Sequence, residues 1–256
     1  MNSRHAESVR VPLPAAGALQ VYLSFRGEPA DWAVVYVHGF GSTRQGEKSE
    51  ALELSCARRG WTFASFDFRG HGQSTGTLLE LCGSALLEDL DALWDYLVSR
   101  GVHRFCLVGS SMGGWAASWF SVRHPASVLR CALIAPAFDF LRNRWQELTE
   151  AEREAWKQTG RLRVRNQWID REIGYGIVEE MDRFPLSRLA AEWAVPLLIF
   201  HGLQDDVVPY AQSLALMERA TYPHIELRLY KNGDHRLRAF KDQIAEAACR
   251  FFAEAV

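Results

Sequence analysis

A chain of 256 residues that is 48% hydrophobic can bury one sizeable core but is short for two full domains, so the expectation is a single domain carrying an insertion. Its net charge of -2 comes from basic and acidic residues scattered along the chain. There is no basic stripe to meet nucleic acid or an acidic membrane surface, and no apolar run long enough to cross a bilayer, so stable membrane insertion is not expected. The five cysteines (Cys56, Cys82, Cys106, Cys131, Cys249) are odd in number, widely spaced and mostly set in apolar segments. That usage fits reduced core thiols better than disulfides or metal sites. Residues 1–20 lack the pattern of a basic start followed by an apolar stretch, and the expected location is cytoplasmic.

In chain order, Val9–Leu13 and Leu19–Phe25 flank Ala16-Gly17 and predict an antiparallel hairpin. The pattern then changes to short continuous apolar runs at Ala33–Val37, Thr62–Phe66, Phe105–Val108, Cys131–Ala135 and Pro196–Phe200, as expected of strands buried on both faces. Helical spacing occupies 46–59, 84–99, 113–123, 210–220 and 236–254. Strands alternating with helices predict an α/β fold with a mostly parallel sheet covered on both faces. Residues 139–193 break the alternation and predict a small helical lid inserted into a core of residues 1–138 and 194–256. Within that segment Thr149-Glu150-Ala151-Glu152 fits a capping box, Pro185–Ala191 a second short helix, and Trp145, Trp156 and Trp168 are candidates either to line a pocket or to glue the insertion to its host.

The chemistry gathers where strands end. Gly109-Ser110-Ser111-Met112-Gly113 follows an apolar run and opens a helical one, the strand–turn–helix context of a nucleophile elbow with Ser111 at its apex. The glycines two residues on either side of Ser111 are needed because so tight a turn leaves no room for Cβ atoms. A serine hydroxyl needs a base beside it and a carboxylate to orient that base. His235, the last strand-end histidine before the final helix, fits the base; His38, His71 and His201 read as loop props, and His5, His103, His124 and His224 as surface residues. Asp205 is favoured as the acid over its neighbour Asp206, and over Asp234, which adjoins the base in sequence. The backbone N–H groups of Phe40, in the loop after the third strand, and Met112 are the expected oxyanion donors.

These residues, with His38-Gly39-Phe40-Gly41 and Asp67–Ser74, resemble the α/β-hydrolase superfamily over nearly the entire chain, and the order serine, acid, histidine is the one that superfamily uses. More narrowly, Gly109–Trp115, His201–Pro209 and Gly233–Arg238 look like the abhydrolase subgroup of palmitoyl-protein thioesterase and acyl-glucuronide esterase enzymes. The resemblance implies an α/β-hydrolase fold with an eight-stranded sheet and the triad roles given above. The expected activity is hydrolysis of a carboxylic ester or thioester, on a small molecule or an acyl conjugate, through an acyl-enzyme on Ser111, with no metal or organic cofactor and in a monomer or homodimer. Two other readings remain: a ligand-binding or signalling protein on the same fold, and a peptidase or acyltransferase using the same residues. Unlike the mitochondrial members of the subgroup, the chain shows no Arg-rich, acid-poor leader.

Overall fold

The computed structural model describes residues 4–165 and 170–255. The opening hairpin is β1 (Arg4–Pro12) and β2 (Ala18–Arg26), paired in register from Arg4 with Arg26 to Pro12 with Ala18. There follow β3 (Trp32–Val37), α1 (Glu47–Arg59), β4 (Phe63–Asp67), α2 (Gly83–Ser99), β5 (Arg104–Ser110), α3 (Met112–Arg123) and β6 (Val128–Ile134). Between β6 and the next sheet strand come α4 (Phe140–Glu147), α5 (Glu150–Thr159), β7 (Arg161–Arg165), β8 (Asp170–Gly174), α6 (Gly176–Glu179) and α7 (Leu186–Glu192). The chain closes with β9 (Leu197–Gly202), α8 (Ala211–Arg219), β10 (Ile225–Tyr230) and α9 (Lys241–Ala253).

The large sheet has eight strands in the order β1-β2-β4-β3-β5-β6-β9-β10. It is parallel except where β2 pairs antiparallel with β1 and β4. Side chains that alternate along each strand feed two cores. Val34, Tyr36, Cys106 and Val108 join Leu52, Cys56 and Phe252 under α1 and α9, while Val35, Val37, Phe105 and Leu107 join Leu90, Trp115 and Phe120 under α2 and α3. From β3 the chain winds to β4 on one side, then returns past β3 to β5 on the other. The carboxyl ends of β3 and β5 therefore flank the point where the winding reverses, where such sheets leave a crevice. All five cysteines are free thiols, and four are buried.

The segment from Asp139 to Trp193 departs from the purely helical expectation, because β7 and β8 form a two-stranded antiparallel ladder from Arg161 with Gly174 to Arg165 with Asp170. Arg161-Leu162-Arg163-Val164-Arg165 alternates charged and apolar residues, a half-buried strand pattern: Val164 is buried and the arginines are exposed. The capping box is as expected. Glu152 N–H donates to Thr149 Oγ1, and Thr149 N–H donates to the Glu152 carboxylate at 2.8 Å. Trp156 is buried and packs against Trp145 and Tyr175, with ring centroids 6.3 and 5.7 Å away. It glues the segment together, while Trp168 lies outside the described residues. The segment is anchored to the core where Ser84 N–H and Oγ–H donate to the Glu180 carboxylate, both at 2.6 Å. A second anchor is Phe184, whose ring packs edge-on against Trp115 and Trp119.

Candidate active site

The turn between β5 and α3 forces Ser111 to φ +55°, ψ -116°, a region that costs a residue with a side chain of order 1–3 kcal/mol. The surroundings hold it there. Ser111 N–H donates to Ile134 O at 3.0 Å, and Ser111 O accepts from the N–H groups of Gly114, Trp115 and Ala137. A methyl on Gly109 would stand 2.5 Å from Gly113 O, and one on Gly113 only 2.1 Å from Val37 O, so both positions exclude a Cβ.

The loop after β3 lies against this elbow. A methyl on Gly39 would approach Ser111 Cβ to 3.2 Å. Ser42 N–H closes a turn onto Gly39 O at 3.1 Å, with Gly41 at φ +66°, which puts Phe40 at the second position of the turn. Met112 opens α3, where N–H groups have no acceptor within the helix. His38, fully buried, braces the loop: its Nδ1–H donates to Gly39 O at 2.8 Å, and its Nε2 accepts from Phe68 N–H at 3.0 Å. That partner set fixes the neutral tautomer. Burial, reinforced by His71, pushes the ring's pKa down to about 3. The Phe40 ring meets His71 edge-on and also approaches Phe140 of α4, with centroids 6.0 and 6.1 Å apart.

Beneath the loop, Asp67 accepts from Arg44 N–H at 2.6 Å and Gln73 N–H at 3.0 Å. Ser74 Oγ accepts from Gln20 N–H at 2.8 Å. The Asp67–Ser74 stretch is therefore a brace that ties the end of β4 to the hairpin and to the loop after β3.

Ser111, His235 and Asp205 converge on one rim of the sheet. His235 Nε2 is 3.1 Å from Ser111 Oγ, and His235 Nδ1 is 2.8 Å from Asp205 Oδ2. Asp205, just past β9, is buried at its carboxylate, whereas Asp206 beside it is exposed. Burial alone would push the Asp205 carboxyl up. Hydrogen bonds from His201, His235 and Val208 N–H, together with the charge at His235, overrule it and hold the carboxyl well below the ordinary carboxylate range.

Asp234 does other work. Its Oδ1 accepts Leu237 N–H at 2.8 Å, closing a turn in which Leu237 adopts φ +49° with its side chain fully buried. Lys48 of α1 steadies the same turn by donating from Nζ to Arg236 O at 3.2 Å. After this capped turn a 3-10 turn over Arg238–Phe240 leads into α9, so the α-helix starts at Lys241 and not near 236, as the periodicity suggested.

Two further residues, His201 and Ser213, extend the arrangement. His201 is a loop prop as expected, but its Nε2 also lies 3.1 Å from Asp205 Oδ2, and its Nδ1 lies 2.8 Å from Ser213 Oγ on α8. The spacing of residues 201 and 205 across a strand end was the available signal for the first contact. Nothing local marks Ser213. Among the described residues no cluster of three or more His, Cys, Asp or Glu side chains is arranged to hold a metal ion, and no helix is long and apolar enough to cross a membrane.

The sheet order, the elbow at its reversal point and the loop set against it define an α/β hydrolase. A family model described as serine aminopeptidase S33 (Hydrolase_4) matches residues 28–172 and 166–240, and the chain belongs to that family of hydrolases. It is similar to palmitoyl-protein thioesterase ABHD10, mitochondrial, of Mus musculus, with 28% identity over 212 residues that span 82% of this chain and 70% of that one. Among solved structures, a putative hydrolase from Agrobacterium vitis S4 superposes with TM-score 0.85 at 25% identity, covering 99% of this chain and 100% of the other. Mouse alpha/beta hydrolase domain-containing protein 10 gives 0.81 at 24%, covering 97% and 98%. The thioesterase relatives are named as mitochondrial, a different compartment from the cytoplasmic one expected above.

Proposed function

We propose that the protein is a serine hydrolase of carboxylic esters or thioesters, with Ser111 as nucleophile, His235 as general base and acid, Asp205 as orienting carboxylate, and the N–H groups of Phe40 and Met112 as oxyanion hole. The observation that carries this reading is the position of the His235 ring, 3.1 Å from Ser111 Oγ and 2.8 Å from Asp205. Asp205 accepts the Nδ1–H, which leaves the Nε2 lone pair to take the serine proton. Ser111 Oγ adds to the acyl carbonyl carbon as its proton moves to His235, and the oxyanion lies between the two backbone donors. Collapse expels the alcohol or thiol, protonated by His235, and leaves Ser111 acylated. Water, deprotonated by the same ring, then releases the acid and restores the serine.

The segment 139–193 serves in this reading as a lid: Phe140 at its start faces Phe40 of the oxyanion loop. The thioester half of the proposal is supported by the names of the relatives, palmitoyl-protein thioesterases. The family description, a serine aminopeptidase, favours a second reading in which the same residues cleave an amide. A panel of p-nitrophenyl acyl esters, acyl thioesters of graded chain length and aminoacyl anilides, run side by side, separates them. Ester or thioester turnover that disappears in Ser111→Ala supports the proposal. Turnover confined to the anilides favours the peptidase, and full ester turnover by Ser111→Ala ends the assignment of the nucleophile.

A further inference from the structure

A carboxylate buried at a strand end must be held by donors from more than one side if it is to keep one rotamer. Asp205 is held from three. Val207 and Val208 N–H donate to Oδ1 at 2.9 and 2.7 Å, and His235 Nδ1–H donates to Oδ2 at 2.8 Å. The third donor is the fully buried His201, whose Nε2 faces two acceptors, Asp205 Oδ2 at 3.1 Å and Val208 O at 3.0 Å, and therefore carries the proton. Its Nδ1 then accepts from the hydroxyl of Ser213, also fully buried, at 2.8 Å. A single line of hydrogen bonds runs from α8 through both imidazoles to Ser111.

We infer that His201 and Ser213 are positioning residues for the reaction: Ser213 fixes the tautomer of His201, and His201 shares Asp205 Oδ2 with His235, setting both the aim of that carboxylate and how much of its negative charge His235 feels. The inference rests on the triad proposed above. The chemical consequence has a definite sign. Removing the His201 donor leaves Oδ2 with a less dispersed charge, which favours the protonated form of His235 and raises its pKa. Removing the Asp205 charge lowers it. The other charged groups around the His235 turn have their own partners there, although the Lys48 charge also reaches Asp205. Asp234 accepts Leu237 N–H, Lys48 donates to Arg236 O, and Arg238 pairs with Glu47 at 3.2 Å, with Arg236 alongside.

The test is to titrate the ring of His235 by NMR in histidine-labelled protein, together with the pH profile of kcat/KM for a p-nitrophenyl ester. In His201→Phe, which keeps a planar ring but no N–H, the His235 pKa and the acid limb rise together by about half a unit to one unit. kcat falls about tenfold with KM little changed. His201→Gln, which carries an N–H to a similar reach, recovers most of both; Asp205→Asn moves the His235 pKa the opposite way. If His201→Phe does not fold, Ser213→Ala carries the test, with a smaller shift in the same direction. A folded His201→Phe or Ser213→Ala protein whose His235 titration matches the parent, while Asp205→Asn shifts it, overturns the inference alone. An Asp205→Asn protein that also leaves the His235 titration unmoved takes down the triad itself.

Discussion

Ser111 is held at φ +55° by four backbone hydrogen bonds and two glycines that admit no methyl, so the proposed nucleophile sits on strain that the fold absorbs. Replacing the serine separates that strain from the chemistry. Ser111→Gly relieves a positive φ that Ser111→Ala retains, and it should be more stable than Ser111→Ala by about 1 kcal/mol in denaturant unfolding, with both inactive. An alanine variant as stable as the glycine one would mean that the turn carries no strain. At the carboxylate, Asp205→Asn keeps the shape but loses the charge and the acceptor for His235 Nδ1–H, with an expected loss on the order of 10³- to 10⁴-fold in kcat, whereas the exposed Asp206→Asn stays within about twofold. Equal losses at the two positions would reopen the choice of acid. Because the proposed base must be neutral to accept the serine proton, the rate should fall on acidification.

Two elements beside the site are held by packing that single substitutions should expose. The β5–α3 elbow leaves no room at Gly113, and Gly113→Ala, with its methyl driven toward the Val37 carbonyl, should lose about 3 kcal/mol or more of stability. A Gly113→Ala protein with parental unfolding midpoint would contradict the packing described. In the segment between β6 and β9, Trp156→Ala should cost about 3–5 kcal/mol within that segment by emptying its centre beneath Trp145 and Tyr175. Protection of its amides from hydrogen exchange reports that loss, and parental protection would place its stability elsewhere. The strands β3, β5 and β9 were readable because buried parallel strands are short apolar runs, and the residues after each run fall at the rim. The β7–β8 ladder carries no apolar run, only the short alternation of Leu162 and Val164 among arginines, and so did not read as a strand by the same sign. Nor was the delayed start of α9 readable, where helical periodicity continues through Arg236–Phe240 but the Asp234 carboxylate claims Leu237 N–H and burial of the Leu237 side chain holds it left-handed. The meetings of Ser213 with His201 and of Lys48 with Arg236 O join residues on different elements, which periodicity does not register.

Over the molecule as a whole, the catalytic proposal depends on buried neutral groups that tie the rim to the core, and His38 gives their pH signature. Its folded pKa is about 3, below the free imidazole value of about 6.5. Between those limits the unfolded chain binds a proton that the folded chain refuses, so stability is present above about pH 6.5 and drains on acidification by up to about 1.4 kcal/mol per pH unit. His71, lowered chiefly by burial, adds in the same sense, while Asp89, raised by burial to about 6 despite Arg69, works in the opposite sense below that pH. Both persist in His38→Gln, so the difference in pH slope between parent and variant isolates His38; identical slopes would remove it from the account. The central claim, that Ser111 is the activated nucleophile, meets its most direct test in covalent labelling of the intact protein by a fluorophosphonate followed by mass spectrometry. The account predicts one adduct per chain, on the peptide bearing Ser111, with loss of ester turnover in proportion and no adduct in Ser111→Ala. An adduct on another residue, or an active enzyme that takes no label, would contradict it.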